Sequence, residues 1–470
     1  MIKKDRVLII GAGLCGSLLA LRLAQRGYKV TVFESRPDLR KEDVSSGRSI
    51  NLALSNRGFK ALRLTGIDEK VKNICIPMYG RLMHDKEGKT FISNYSGREG
   101  EYINSISRGD LNGILLNEAE AHENVVVYFN SKCLSVDIDN TKALFKNYKT
   151  KEEFEIEADV IFGADGAGSV LRKNYYLDKK FLFSFSQDYL AHGYKELEIP
   201  ANTEGKHQIS KDHLHIWPRG GYMLIALPNL DGSFTVTLFL SYEKDEYNFK
   251  NLSSEDSIKK FFKEQFPDAL ELIPDVASEF ANNPTGPLGT IKCSPWCYKG
   301  KTLIIGDAAH AIVPFYGQGM NASFEDVCVL DSVLNEYEGD WEVVFKVYQE
   351  RRKIDTDAIG NLAIENYYEM RDHVANPLFK EKRALEMELE RNFPKEYYSK
   401  YSMVTFNEGI GYNEARTKGN AQDKALLNLI ANNQLRVKDN SCKEELLLLL
   451  KRVQVETQEV LKEDEVAGLS

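Results

Sequence analysis

Near the start of the chain a short run, Arg6 to Ile10 (RVLII), sets four aliphatic residues in a row after one arginine, the pattern of a buried parallel strand. A glycine-rich hexapeptide follows, Gly11-Ala12-Gly13-Leu14-Cys15-Gly16, and apolar positions at helical spacing carry a helix to Arg26, closed by Gly27. Lys29 to Phe33 is a second expected strand and ends at Glu34. Two more buried strands are expected, one over Asp159 to Phe162 and one running into Gly306-Asp307. In mid-chain the period changes to two. His192 to Ile199, His213 to Pro218, Tyr222 to Pro228 and Phe234 to Leu240 read as antiparallel strands, with FTVTLFL the clearest alternation. From about residue 356 the spacing is helical, with amphipathic stretches over Asp357 to His373 and Lys443 to Glu463.

The first of these segments carries chemistry. G-x-G-x-x-G sits between a strand and a helix, with an acid about 20 positions on, which is the dinucleotide fingerprint in its required context. Gly11 permits the tight turn, Gly13 lets a pyrophosphate approach the backbone, and Gly16 lets the helix pack on the strand. The helix N-terminus offers unpaired N–H groups to the phosphates, and Glu34 is placed to accept from the adenosine ribose. NAD and FAD share this fingerprint. Two later motifs add to it: IFGADGAGSVLR (Ile161 to Arg172) and TLIIGDAAHAIVPFYGQGMNASFED (Thr302 to Asp326). No second G-x-G-x-x-G exists to hold a second dinucleotide in its own domain. The expected fold is α/β: a Rossmann-like nucleotide-binding domain in two pieces (1–175 and 285–355), an inserted antiparallel-sheet substrate domain (176–284) and a C-terminal helical region (356–470).

Composition narrows the partners. The 470 residues carry 61 basic and 70 acidic side chains, net −9, the wrong balance for a protein that neutralises nucleic-acid phosphates. Seven scattered cysteines make no disulfide framework, and a reducing, cytoplasmic setting is expected. Cys293 and Cys297 lack the further ligands of a zinc site, and no metal is expected. The apolar tract Leu446 to Leu450 falls far short of the ~20 residues of a membrane span, so a soluble chain without a membrane partner is expected. Lys3, Lys4 and Arg6 ahead of the first strand mimic a secretory signal, but no cleavage site precedes Arg22.

A nucleotide fingerprint, a DG motif and a GD motif in this order resemble the single-component FAD-dependent aromatic hydroxylases of the para-hydroxybenzoate hydroxylase type. The resemblance implies FAD as cofactor and NADPH as a transient co-substrate. It places Asp307 on the ribityl chain, Asp165 in support of FAD and NADPH, and the helix start at Gly319, Met320 and Asn321 against the flavin. Further segments sharpen the match: GRSINLALS (Gly47 to Ser55), IPMYGRLMH (Ile76 to His84), SISRGDL (Ser105 to Leu111), HLHIWPRG (His213 to Gly220), ENYYEMRDHV (Glu365 to Val374) and YSMVTF (Tyr401 to Phe406). Together, over roughly Lys4 to Tyr412, they resemble the kynurenine-hydroxylating branch of that family. The branch's usual Phe-Phe before Gly-Gln-Gly is Phe315-Tyr316 here. By this resemblance Arg81, Tyr95, Asn366 and Tyr401 contact L-kynurenine. Ala53, Arg108 and Cys133 lie near FAD, as do Phe33, Glu34, Ser35 and Arg36 at the end of the second strand.

The implied reaction is hydroxylation beside the aniline nitrogen through a flavin hydroperoxide, with NADPH and O2 consumed and no catalytic side chain needed. Arg81 offers a planar fork to the substrate carboxylate, and the tyrosines offer hydroxyls beside flat apolar surface. Taken singly, these residues have plainer alternatives. An arginine in a strand–loop segment is usually a solvated charge, and two of 23 tyrosines are usually packing residues. His213 and His215 alternate with Leu214 as a polar strand face, and His310 reads as a hydrogen-bonding residue of its helix. Two other functions stay open at this point: hydroxylation of another aromatic acid, and a non-enzymatic FAD redox sensor.

Overall fold

The computed structural model describes residues 5–41, 51–337, 339–372, 377–432 and 443–468. Gly47 to Ile50, and His373 and Val374, of the motif segments above lie outside the described residues. Contacts divide the chain into two compact units, residues 1–76, 105–190 and 287–360 in one and residues 77–104, 191–286 and 361–470 in the other.

The first unit is built on a six-stranded sheet ordered Cys297–Tyr298, Thr302–Ile304, Val160–Gly163, Arg6–Ile10, Lys29–Phe33 and Val125–Tyr128. All neighbours are parallel except the two-residue edge strand. Both strands of the fingerprint have the expected bounds. The next begins one residue later than expected, because Asp159 turns to Arg6 and accepts its backbone N–H at 2.7 Å. The helix after the glycine loop is Leu14–Gln25 and ends in left-handed Gly27, φ +85°. A smaller sheet, Ser131–Asp137, Lys142–Asn147 and Glu153–Glu157, packs its aromatic face on Phe33, whose ring lies 4.1 Å from that of Phe145.

Beneath the GD turn, Gly306-Asp307, which follows the strand Thr302–Ile304 of the six-stranded sheet, lies a group of charges removed from water. Asp326 and Arg352 are 0% and 1% exposed, and Arg57 is 0% exposed. Arg352 donates to Asp326 Oδ1 at 2.9 Å and Glu325 Oε2 at 3.0 Å, and Arg57 donates to Glu325 Oε1 at 2.8 Å. Burial alone would raise the Asp326 carboxyl, but His310 and Arg352 outweigh it and hold it below the ordinary range.

The second unit carries a mostly antiparallel sheet. Its long strand Ser184–Ile199 contributes from Ala191 onward, and beside it lie in order Phe234–Ser241, Met223–Pro228, His213–Pro218, Gly80–His84 and Thr90–Asn94. Three of the four expected strands are matched to within a residue at either end. One face alternates Leu197, Ile199, Trp217, Leu224, Ala226, Val236, Leu238 and Leu240 into a core closed by Ile258, Phe261, Phe262 and Phe266. Residues 77–104, expected with the nucleotide domain, group here because Gly80–His84 pairs in parallel with His213–Pro218. The C-terminal helices also group here rather than standing as a third region. Lys443–Gly468 buries Leu446, Leu449, Leu450 and Val453 with Leu426 and Leu429 of Tyr412–Ala431. Among the described residues no helix is long and apolar enough to cross a membrane.

Removing one partner of a buried ion pair costs about 3–5 kcal/mol, because the other charge stays behind unpaired. Glu325→Ala removes the buried carboxylate that Arg57 and Arg352 share, leaving the cluster with one carboxylate fewer than its guanidinium groups were built around, and should lower the thermal transition of the first unit by several degrees. Lys206→Ala, which breaks a pair that is 72% and 68% exposed, should leave the transition where it is. Equal shifts in differential scanning calorimetry would show that the buried network adds nothing to stability.

Candidate functional site

In the first unit the glycine turn is shaped by close approach. Gly11 has φ +101°, and a Cβ there would lie 2.5 Å from Ala164 O; one on Gly16 would lie 2.0 Å from Gly11 O. A Cβ on Gly13 would meet nothing within 4 Å. So Gly11 and Gly16 serve packing, whereas Gly13 faces open space at an uncapped helix N-terminus, the cradle a pyrophosphate needs. Ser17 Oγ and Asn112 Nδ2 both donate to Ala12 O, at 3.0 and 3.2 Å, and fix the turn from behind.

Glu34 is 6% exposed, and its Oε2 accepts from Ala12 N at 2.9 Å. Its Oε1 accepts from Arg36 N and Nε, each at 2.9 Å, and from Ser35 Oγ at 3.2 Å. Burial would raise this carboxyl, but Arg36 and Ala12 pull it down and keep it ionised. Oε2, with a single donor, retains acceptor capacity for a ribose hydroxyl. Phe33 is packed among aromatic rings, and Cys133 is a buried core thiol pushed up to about 12 by burial. Neither side chain is aimed at an open site.

The later motifs meet the first one. A Cβ on Gly306, φ +63°, would sit 2.9 Å from Cys15 Sγ, so the GD turn rests on the glycine-loop helix. Asp307 is exposed at the start of the short helix Asp307–His310, between buried neighbours. Gly306 N and His310 Nε2 both bind Asp326 Oδ2, at 3.0 and 2.6 Å. His310 is thus a hydrogen-bonding residue whose partner lies on the next helix, Gly319–Glu336. That helix starts at Gly319 without a side-chain cap, leaving its first N–H groups for a ligand. Asn321 is fully buried and points inward: Oδ1 accepts from Ser55 N at 3.0 Å, and Nδ2 donates to Ala53 O and Gly317 O, each at 2.9 Å. It clamps the Ala53 strand to the Gly317 turn, while Met320 is half-buried beside it. Asp165 accepts from Val170 N at 2.6 Å, and its Oδ1 is buried without a hydrogen-bond partner among the described residues. Burial raises its carboxyl. Arg108 is exposed at the first position of the helix Arg108–Glu120. An open glycine cradle, an outward aspartate, an orphaned buried carboxylate oxygen and an uncapped helix start together fit FAD.

In the second unit, three of the four expected substrate residues come together. The Arg81 guanidinium lies 5.0 Å from the Tyr95 ring and 4.4 Å from the Tyr401 ring, and those rings stack at 5.8 Å and 12°. Tyr95 is 0% exposed, its hydroxyl is without a hydrogen-bond partner among the described residues, and burial pushes it well above the ordinary range. No carboxylate pairs with Arg81 among the described residues. Asn366 is half-buried near the end of the helix Trp341–Asp372 in the same unit. Arg383 donates to Tyr95 O at 2.6 Å and is tied to Glu386 at 3.1 Å, which fixes the Tyr95 backbone.

The family model "FAD binding domain" matches residues 4–354. A protein of Legionella pneumophila named kynurenine 3-monooxygenase is 45% identical over 421 residues, covering 89% of this chain and 92% of the relative. Relatives of the same name from Myxococcus xanthus (45% identity, 86% of each chain) and Dictyostelium discoideum (42%, 91% and 93%) match comparably. The chain belongs to the kynurenine 3-monooxygenase family. Among solved structures, 2-methyl-3-hydroxypyridine-5-carboxylic acid oxygenase superposes with a TM-score of 0.64 at 22% identity, covering 82% of this chain and 96% of that one. That likeness bears on fold alone.

Several residues that shape this family member's sites escape sequence reasoning: Asn112 and Ser17 behind the glycine turn, Glu325 and Asp326 beneath the GD turn, and Arg383 behind Tyr95. The one available signal was Glu325-Asp326 inside an otherwise apolar helical stretch; the others resemble ordinary surface polar residues. The geometry separates the glycines experimentally. Gly13→Val should leave the melting temperature of the FAD-free protein unchanged. It should weaken FAD binding about a hundredfold or more, the loss of roughly one or two charge-assisted hydrogen bonds. Gly16→Val should instead prevent folding of the first unit. Normal FAD uptake by Gly13→Val in a fluorescence titration would remove the cradle from consideration.

Proposed function

We propose that this protein hydroxylates L-kynurenine to 3-hydroxy-L-kynurenine, using FAD as cofactor and consuming NADPH and O2. The observation that carries the proposal is Arg81 flanked by Tyr95 and Tyr401 in a chain of this family. One oxygen atom enters the ring, the other leaves as water, and NADPH supplies the two electrons. When bound, FAD supplies the electron transfer and oxygen activation that the hydroxylation needs.

What the chain contributes is binding, orientation and exclusion of water. The first unit acts as the FAD domain: Gly13 and the helix starts at Leu14 and Gly319 take the negative groups, Glu34 the ribose and Asp307 the ribityl chain. The second unit acts as the substrate domain. Arg81 receives the kynurenine carboxylate through its guanidinium fork, with the faces of Tyr95 and Tyr401 shielding that pair from water. The buried Tyr95 hydroxyl gains the partner it lacks, and Asn366 can both donate and accept at the amino-acid end. A cytoplasmic location belongs to the same proposal and is supported by six free cysteines among the described residues.

Incubating FAD-loaded protein with NADPH and kynurenine and identifying the product by mass tests the reaction directly; only peroxide, with no hydroxylated product, would defeat it. Arg81 gives the residue-level test. Truncating one partner of a buried charged hydrogen-bonded pair costs about 2–5 kcal/mol, so Arg81→Ala should lower kcat/KM by about 30- to 3,000-fold. Arg81→Lys should restore only part, and FAD content should stay normal. Wild-type turnover by Arg81→Ala would make Arg81 a solvated surface charge.

A further inference from the structure

Glu390, in the last turn of the helix Pro377–Asn392, is 0% exposed. Its Oε2 accepts from Gly97 N at 2.9 Å. Its Oε1 accepts from Arg98 Nη1 at 3.0 Å and from Ser399 N at 2.8 Å, and the Ser402 hydroxyl donates to the same carboxylate. Four donors fill the acceptor sites of two oxygens, so the group is saturated. Burial alone would raise this carboxyl, but the bonds from Ser402, Gly97 and Ser399 and the nearby Arg383 hold it below the ordinary range. The donors come from two separate segments. Gly97 and Arg98 follow closely on Tyr95, and Ser399 and Ser402 flank Tyr401.

We infer that Glu390 is a positioning residue: it clamps the Tyr95 and Tyr401 segments together and so sets the spacing of the two rings on which Arg81 rests. The inference rests on the substrate role of Arg81 proposed above. The Arg81 guanidinium lies 5.0 Å from one ring and 4.4 Å from the other, and the rings are 5.8 Å apart. It keeps both contacts only while that spacing holds. Two features make Glu390 the link. The first is reach: Arg383 bonds the Tyr95 segment and Asp423 holds Lys400 of the Tyr401 segment, whereas Glu390 bonds both. The second is stiffness. A Cβ on Gly97 would lie 2.1 Å from Met387 O, so the Tyr95 segment presses directly on the helix that carries Glu390. Arg98 also donates to Pro394 O at 3.1 Å and to Tyr397 O, which ties that segment to the chain leading into Tyr401. On the other side Ser399 caps the helix Lys400–Thr405, its hydroxyl accepting from Ser402 N at 3.3 Å, and Tyr401 is the second residue of that helix. Movement at either oxygen of Glu390 therefore reaches a ring through very little chain.

Glu390→Gln is nearly isosteric, but it exchanges one acceptor oxygen for an amide donor. That donor faces either Gly97 N or the pair Ser399 N and Arg98, so one of the two segments is released. In the FAD-loaded protein, kcat/KM for kynurenine should fall about tenfold, mostly through KM, the worth of one charge-assisted hydrogen bond. In the Arg81→Ala background the same change should cost about twofold or less, because the cation that the rings hold is gone. A merely structural role would act through the folded fraction and lower activity by one factor in both backgrounds. Equal losses in the two backgrounds, or no loss where Arg81 is present, would overturn the inference. Should Glu390→Gln fail to fold, Ser402→Ala removes a single donor on the Tyr401 side. A loss of about threefold is then expected, again confined to the protein that keeps Arg81, and equal losses would again overturn it. A crystal structure of the folded variant reads the clamp without substrate: the rings should leave their stacked separation of 5.8 Å, and an unchanged pair would count against the clamp outright. Absence of hydroxylated kynurenine from the wild-type protein would instead defeat the proposed substrate, and the ring spacing would still decide the role of Glu390.

Discussion

One buried carboxylate, Asp326, decides whether the first unit can present a cofactor turn at all. Its two oxygens collect the backbone N–H of Gly306, the imidazole of His310 and the guanidinium of Arg352. The first of these sets the left-handed turn after the strand Thr302–Ile304, the second ties down the short helix that carries Asp307, and the third anchors the helix Gly319–Glu336 to the following one. A carboxylate free of water is costly in isolation, so the arrangement requires its cations, and the cations in turn require Glu325. Arg57 and Arg352 against Glu325 and Asp326 sum to zero charge. That balance lets a polar cluster sit under a turn whose upper side must stay open for a ligand.

The parts of the fold that were legible in the sequence are those governed by local pattern. Arg6–Ile10, Lys29–Phe33 and His213–Pro218 have the expected bounds because an apolar run or a strict alternation leaves one way to bury the side chains. The glycine loop was legible for a stronger reason: Gly11 and Gly16 are required by contacts to backbone atoms only ångströms away. Partition of the chain was not legible. That residues 77–104 join the sheet depends on a parallel pairing between strands more than a hundred residues apart, and no periodicity encodes a partner.

Site residues divide along the same line. The glycines were expected from motif and spacing, and Asp307, Arg81, Tyr95 and Tyr401 from family resemblance. Residues acting from behind could not. Asn321 illustrates the difference. It was expected at the flavin, yet its side chain is spent on Ser55, Ala53 and Gly317, so it shapes the turn and leaves only its backbone for a cofactor. Phe33 and Cys133 likewise lie in the expected region with their side chains in the core. Proximity in sequence to a motif locates a neighbourhood; the direction of a side chain follows from what else is buried there.

The second unit holds Arg81 differently from most of its other cations. Arg98 is held by Glu390, Arg383 by Glu386, Lys382 by Glu386 and Asp423, and Lys400 by Asp423. Each of these acids is at most 14% exposed at its side chain, so each pair is settled within the protein. Arg81 has instead two aromatic faces and no acid among the described residues. Rings attract a guanidinium weakly and without consuming its N–H donors, so the five donors stay available on a half-buried side chain. Such an arrangement is unfavourable for the empty protein and favourable once a carboxylate arrives. The surrounding pairs supply the rigidity that keeps it so: Arg383 holds the backbone of Tyr95 and Lys400 the start of the helix bearing Tyr401. Arg219 and Lys195, which likewise form no ion pair among the described residues, spend their N–H groups on backbone carbonyls, so what sets Arg81 apart is that its donors are not spent.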